Sequence, residues 1–246
     1  IQVPEGISVN VREPELIDRE LSLLKVEALS SRTIATLINF AAHPETLWSD
    51  NLLLTADYPG YVYRDVEREF GGVTLFVNGA LGGMVTVDSK AHTFEEAERI
   101  GSTIARNAIE AAWKAEVQEN VKITLKKEKL EIPLENPNFM AMIQTQLIPG
   151  DMFMGGNIQT EVNYVKIGDA QIATFPGELL PKLGITVKDN MKSKYKFIFG
   201  LANDELGYIL PEEDFDRELY KYEKSMSVGS KIGTMTTEKL IELMSD

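Results

Sequence analysis

The chain has no cysteine, and that absence excludes disulfides and thiolate metal sites. Any metal it holds must be met by His, Asp, Glu or Tyr. Histidine is nearly absent as well, with only His43 and His92 in 246 residues. Positive charge is in deficit: 25 Lys and Arg stand against 38 Asp and Glu, for a net charge of −13. Nucleic-acid binding needs clustered basic side chains, so nucleic acid is excluded as the main partner. The basic stretches at 122–129 and 188–196 are interrupted and read as solvated faces. No apolar run approaches the roughly 20 residues of a membrane span. The first residues, Ile1 to Gly6, have neither the basic start nor the apolar core of a signal peptide. These absences predict a soluble chain with no transmembrane segment, and leave its compartment open. An initial Ile in place of Met reads as a processed or partial product.

What is present can fill a core. At 43% hydrophobic, 246 residues suffice for one large domain or two small ones. No repeat, low-complexity tract or dividing linker interrupts the chain, so a single domain over 1–246 is expected. Residues 21–28 and 33–42 read as neighbouring strands joined by a short turn, and 59–70 as a helix. A short strand at 73–77 runs into the glycine-rich loop 78–83. Thr93 and Glu96 form a capping box ahead of a helix whose apolar face runs from Phe94 to Trp113. Residues 122–134 read as one half-buried alternating strand, and 136–146 as a helix with methionines as core filler. A hairpin follows across Gly168-Asp169, then a helix from Leu179 to Met191 and a last buried strand at 196–201. Strand-to-loop junctions of parallel type beside a hairpin predict an α/β fold, a mixed β-sheet core covered by helices.

Three strand ends carry unusual groups: His43 after TIATLINFAA, Glu178 after QIATFPG, and the loop Asn203–Tyr208 after KFIFGLA. Open α/β sheets place their ligand crevice at such ends, and His with carboxylate suits Zn²⁺. Each residue also has a plain structural reading. Glu178 is a carboxylate in the first turn of a helix, favoured by the macrodipole. Tyr208 is a half-buried tyrosine closing a loop, and Asp57 is a cap on the helix near Pro59. Asn203 either donates to a substrate oxygen or stabilises its own turn. His92 reads as an exposed loop residue.

The segment NFAAHPETLWSDNLLLTADYPGY, residues 39–61, resembles the neutral/alkaline ceramidase family, with its "NFA.HPT" strand end and later "S.D..GY". TFPGELLPKLG at 174–184 and GLANDELGYILPEEDFDRELYKYE at 200–223 are similar to that family's glutamate and tyrosine motifs. The resemblance covers essentially the whole chain. It implies a ceramidase catalytic-domain-like fold, incomplete at its N-terminus, and a zinc-dependent hydrolase of an amide (N-acyl) or related carbonyl bond. By resemblance His43, Glu178 and Tyr208 are the zinc ligands. Asp57 would orient His43, while Thr86 and Asn203 are further catalytic candidates. The family's first zinc histidine belongs to an N-terminal region that these residues do not include. Gly82-Gly83-Met84-Val85-Thr86 stands where the family has "GD.SP", with glycine in place of the aspartate and valine in place of the serine. Those departures favour a second reading, a catalytically silent relative that binds a ligand or partner on the same scaffold. The partners implied are a small-molecule or lipid-like amide, and an upstream segment or a second copy of the chain.

Overall fold

The computed structural model describes residues 1–147, 150 and 153–245. The chain divides into two compact units, Ile1–Gly79 with Met84–Glu119, and Ala80–Gly83 with Asn120–Asp246.

The first unit contains β1 (Ser8–Asn10), β2 (Ser22–Glu27), β3 (Thr33–Phe40), α1 (Tyr58–Phe70), β4 (Val73–Asn78), β5 (Val85–Val87) and α2 (Phe94–Lys114). The β-branched run expected to be a strand is β3, the middle of a sheet ordered β2-β3-β4. It pairs antiparallel with β2 and parallel with β4, and α1 forms the crossover that a parallel pair requires. Ile38 and Phe40 point to one face, where they pack with Tyr58, Val62 and Val66 of α1 and Ile100 and Ile104 of α2. Each such buried side chain contributes roughly 1.5–3 kcal/mol of hydrophobic stabilisation. α1 and α2 meet at backbone distance, because a Cβ on Gly101 would lie 2.4 Å from the Tyr58 carbonyl oxygen. On the other face Val26, Ala35 and Val73 form one row, and Val26, Val73 and Leu75 are exposed there. β1 and β5 make a separate antiparallel pair. At the start of α2 the Thr93 hydroxyl accepts from the Glu96 amide, as the capping box predicts. The Glu96 carboxylate instead accepts from the Lys90 amide and pairs with Arg99.

The second unit contains β6 (Ile123–Pro133), α3 (Pro137–Gln144), β7 (Phe153–Met154), β8 (Asn157–Ile167), β9 (Ala170–Thr174) and β10 (Glu178–Leu179). They are followed by α4 (Pro181–Asn190), β11 (Tyr195–Phe199), β12 (Tyr208–Ile209), α5 (Lys221–Ser225) and α6 (Ile232–Ser245). The main sheet is ordered β11-β9-β8-β6, with β7 also on β8; β11 and β9 are parallel and the other pairs antiparallel. α6 packs on β6 and β8, and α4 on β11 and α6. Ile132, Val162, Ala173, Phe175, Ile198 and Ile232 are central to the core.

Three local expectations change. In β6 only Leu130 and Ile132 are buried, while Ile123 and Leu125 are exposed. The apolar residues switch parity between Leu125 and Leu130, and the ladder with β8 runs straight through, so the earlier pair faces outward. α3 buries none of its residues, so its methionines are not core filler. α4 begins at Pro181 rather than Leu179, because Pro181 holds Leu180 in an extended conformation and fits the first helical turn. Glu178 is thereby a strand residue and not a first-turn carboxylate. Both larger sheets mix parallel and antiparallel strands and carry helices, so the α/β mixed-sheet class holds.

Candidate active site

His43 lies three residues beyond the end of β3. Its amide donates to the Val85 carbonyl at 2.9 Å, and its backbone forms a parallel bridge to Thr86. The imidazole Nδ1 is 2.8 Å from the same Val85 oxygen. A carbonyl can only accept, so Nδ1 carries a proton, and in the neutral ring Nε2 then holds the lone pair. That is the tautomer a metal-binding histidine needs, with a backbone carbonyl as its orienting partner. Just ahead of it, the phenol of fully buried Tyr58 donates to the Ala42 carbonyl at 2.7 Å, fastening α1 to this strand end. Burial first, and then the neighbouring Asp57, raise the Tyr58 pKa, so it holds that proton.

Several polar atoms around this strand end are buried without a hydrogen-bond partner among the described residues. They are Glu45 Oε1, Thr46 Oγ1, Thr86 Oγ1 and Asn78 Oδ1. Thr46 is fully buried and Thr86 nearly so. Structure therefore brings Thr86 beside His43 in the backbone pairing, with its hydroxyl uncommitted.

In the second unit Glu178 and Tyr208 are register partners in the short parallel pair of β10 and β12. The Tyr208 phenol donates to the Glu178 carboxylate, and its ring meets Tyr222 edge-on at 5.8 Å. Burial, then the negative charge of Glu178, hold the phenol pKa above its ordinary value. Close backbone packing fixes this pair. The Gly82 amide donates to the Leu179 carbonyl at 2.9 Å, and a Cβ on Gly82 would lie 2.4 Å from the Glu178 oxygen. Gly207, with φ of 74°, leaves even less room, since its Cβ would fall 1.8 Å from the Met226 oxygen. Glycine is required at both positions.

The remaining candidates have other partners. Asp57 caps α1, with one carboxylate oxygen accepting from the Tyr58 amide at 2.7 Å and the other from the Leu47 amide at 3.1 Å. Asn203, at φ of 76°, donates its side-chain amide to the Glu161 carbonyl and the Thr174 hydroxyl, both at 3.2 Å. His92 pairs with Asp50 at 2.8 Å and stacks on Trp48, with ring centroids 5.4 Å apart.

Two groups were not singled out from sequence. Glu205 lies three residues before Tyr208 and accepts from the Gly207 amide at 3.1 Å. Burial, opposed by that amide and aided by the charge of Glu178, raises its pKa. Glu45 is the other. The only sequence signal for either was its place in a loop directly flanking a candidate ligand. Among the described residues no group of three or more His, Cys, Asp or Glu is arranged to hold a metal ion. The Glu178–Tyr208 pair contributes one carboxylate and a phenol that such a group does not include.

Two mixed sheets with helices packed on them define an α/β protein. The fold is that of the neutral ceramidases. The neutral ceramidase of Pseudomonas aeruginosa matches over 99% of this chain with a TM-score of 0.74 and 16% identity. A ceramidase solved in complex with C2 matches over 98%, also with a TM-score of 0.74, at 14% identity. The chain spans about half the length of each, 50% and 52% respectively. No family model matches the sequence, and neither does any curated protein. No helix among the described residues is long and apolar enough to cross a membrane.

Proposed function

We propose that residues 1–246 act as one zinc-dependent hydrolase domain, cleaving an amide (N-acyl) or related carbonyl bond, with His43, Glu178 and Tyr208 as ligands of a single zinc ion. The observation that carries this reading is the Glu178–Tyr208 pair, a phenol donating to a carboxylate on adjacent strands of a ceramidase-like fold. The donor chemistry fits zinc: an oriented neutral imidazole, a carboxylate, and a phenol whose proton a cation would displace. Zinc bound there would polarise a carbonyl and lower the pKa of bound water to about 7.

The chain's own residues have defined tasks in this reading. The Val85 carbonyl keeps the His43 ring in one tautomer and one orientation. Without a cation, Tyr208 holds its proton against Glu178. Thr86 has a hydroxyl available to hydrogen-bond a substrate oxygen, since it has no hydrogen-bond partner among the described residues. Asp57 acts by positioning, fixing the start of α1 and thus Tyr58 against the residue before His43. Asn203 positions the loop that leads to Tyr208.

The test is hydrolysis of a panel of N-acyl amides, from short-chain amides to N-acyl lipids, with zinc supplied and then removed by chelation. Zinc-dependent turnover that Glu178→Gln abolishes is the expected result. Full zinc occupancy with no turnover across the panel would favour the second reading, a silent ligand- or partner-binding protein. The altered glycine loop, Gly83 and Val85 in place of an aspartate and a serine, is the observation that favours it.

A further inference from the structure

The loop that follows His43 carries three consecutive leucines, Leu52-Leu53-Leu54, that the proposed chemistry does not use. Leu52 is 95% exposed, Leu53 68% and Leu54 entirely, and Trp48 at the base of the loop is half-exposed. Single exposed leucines are ordinary on a protein surface, but a run of three outside any core lowers solubility unless it serves a contact. The loop is not slack. Leu47 is buried, and its amide donates to the Asp57 carboxylate at 3.1 Å. The Thr55 hydroxyl accepts from the Asp57 amide at 3.0 Å, so both ends of the loop are tied to Asp57. The Trp48 indole lies nearly parallel to the His92 imidazole, at 5°, and Asp50 holds that imidazole in turn.

The backbone at the tip indicates what covers the leucines. Asn51 accepts from the Leu53 amide at 3.1 Å and donates to the Leu53 carbonyl at 2.7 Å. One side chain thus satisfies both backbone groups of the middle leucine. Water or a protein surface can supply such partners, but hydrocarbon cannot, and a segment that enters it must bring its own. Charge points the same way. Residues 33–63 include Glu45, Asp50 and Asp57 but no Lys or Arg. Asp50 is exposed at the base of the loop, so an anionic surface offers it no attraction. Leucines uncovered this completely are best surrounded by a fluid apolar phase, because a rigid partner covers only one side of them.

We propose that this loop docks the chain on a zwitterionic lipid bilayer, with Leu52, Leu53 and Leu54 at the boundary of headgroups and acyl chains and Trp48 at headgroup level. Asp50 limits insertion to the leucines, so the chain lies on the bilayer and does not span it. The loop leads directly from His43, so docking brings that strand end to the surface where a lipid-like amide resides. This use of the docking rests on the hydrolase reading; the docking itself does not.

Docking is measured by flotation of the zinc-free chain with phosphatidylcholine vesicles at neutral pH. In a Trp113→Phe background Trp48 is the only tryptophan, and acyl-chain-brominated lipid should quench its fluorescence. Combining Leu52→Ala with Leu54→Ala should weaken vesicle binding by at least about tenfold. Both side chains lie outside the core, so the thermal melt of the double variant should match that of the parent. Adding phosphatidylserine should not strengthen binding, and raising salt should not weaken it. No vesicle binding, or binding unchanged in the double variant, overturns the proposal, as does a requirement for phosphatidylserine. Leucine-dependent self-association without vesicle binding also overturns it, and makes the loop a contact between copies. Vesicle binding without zinc-dependent turnover of any amide leaves the docking standing and counts against the hydrolase. Turnover without vesicle binding overturns the docking alone.

Discussion

The two units supply candidate ligands from surroundings of opposite character. Around Glu178 and Tyr208, in the second unit, the main contacts are between paired groups, phenol to carboxylate and Glu205 to the Gly207 amide, although Glu223 Oε2 is buried there too with no hydrogen bond among the described residues. Around His43, in the first unit, buried oxygens of Glu45, Thr46, Asn78 and Thr86 have no hydrogen-bond partner among the described residues. A satisfied cluster stabilises its own strand pair whether or not a ligand is bound. Unpartnered buried acceptors lower stability until something supplies a donor or a charge. The second region is therefore the more preorganised of the two, and the first the one whose buried polar atoms gain most from an added partner.

The contrast breaks most severely at Gly207, on which the satisfied cluster depends. Gly207→Ala drives a methyl group into the Met226 carbonyl from a left-handed backbone. We expect a loss above about 4 kcal/mol, measured by denaturant unfolding, together with loss of the Glu178–Tyr208 pair. A more selective change is Tyr208→Phe, which removes one donor and keeps the ring against Tyr222. It should weaken zinc binding about 10–100-fold in chelator competition, and lower stability in denaturant unfolding by about 1–2 kcal/mol, far less than Gly207→Ala.

Asp214 tests how far ionic contacts support the second unit. Burial pushes its carboxyl up, but Lys182 at 2.7 Å and Arg217 at 3.2 Å outweigh that effect and leave the pKa lowered. Its contribution is thus present above the ordinary aspartate range and is lost as pH falls through the lowered folded value. Lys182 is partly exposed, so solvent screening moderates the pair, and Asp214→Asn should cost about 1–3 kcal/mol at pH 7. Below the folded pKa, the parent and the variant should converge.

The smallest effect concerns Glu205. Its raised pKa means that the folded state takes up a proton more readily than the unfolded chain. Stability from this group is therefore highest at low pH and declines as pH rises from the ordinary glutamate range through the folded value. Glu205→Gln keeps an acceptor for the Gly207 amide and removes the charge beside Glu178. It should flatten that decline and make the protein slightly more stable at pH 7, as thermal melts across the pH range would record.

Much of the fold was legible because its signals were local. β3 announced itself as a β-branched run, α2 by Thr93 and its apolar stripe, and the β8–β9 turn by Gly168 at φ of 55°. The failures lay where a neighbour or a phase decided. The parity switch in β6 sends Ile123 and Leu125 outward, and Pro181 rather than composition sets the start of α4. Of the candidate site, the pairing of Glu178 with Tyr208 needed the β10–β12 register, which two isolated dipeptides do not reveal. The partner of His43 is a backbone carbonyl, and no side-chain pattern encodes that. Glu45 and Glu205 stood among 38 acidic residues and gained meaning only from burial and unmet or shared charge.

The central proposal is that His43, Glu178 and Tyr208 hold one zinc ion. It is tested most directly by zinc affinity in a double-mutant cycle of His43→Ala and Glu178→Gln, with one equivalent of zinc bound by the parent. If both side chains hold the same ion, each single change weakens binding by about tenfold or more, and the double variant loses much less than the product of the two. Independent, multiplicative losses, or unchanged affinity in either single variant, would contradict the shared site.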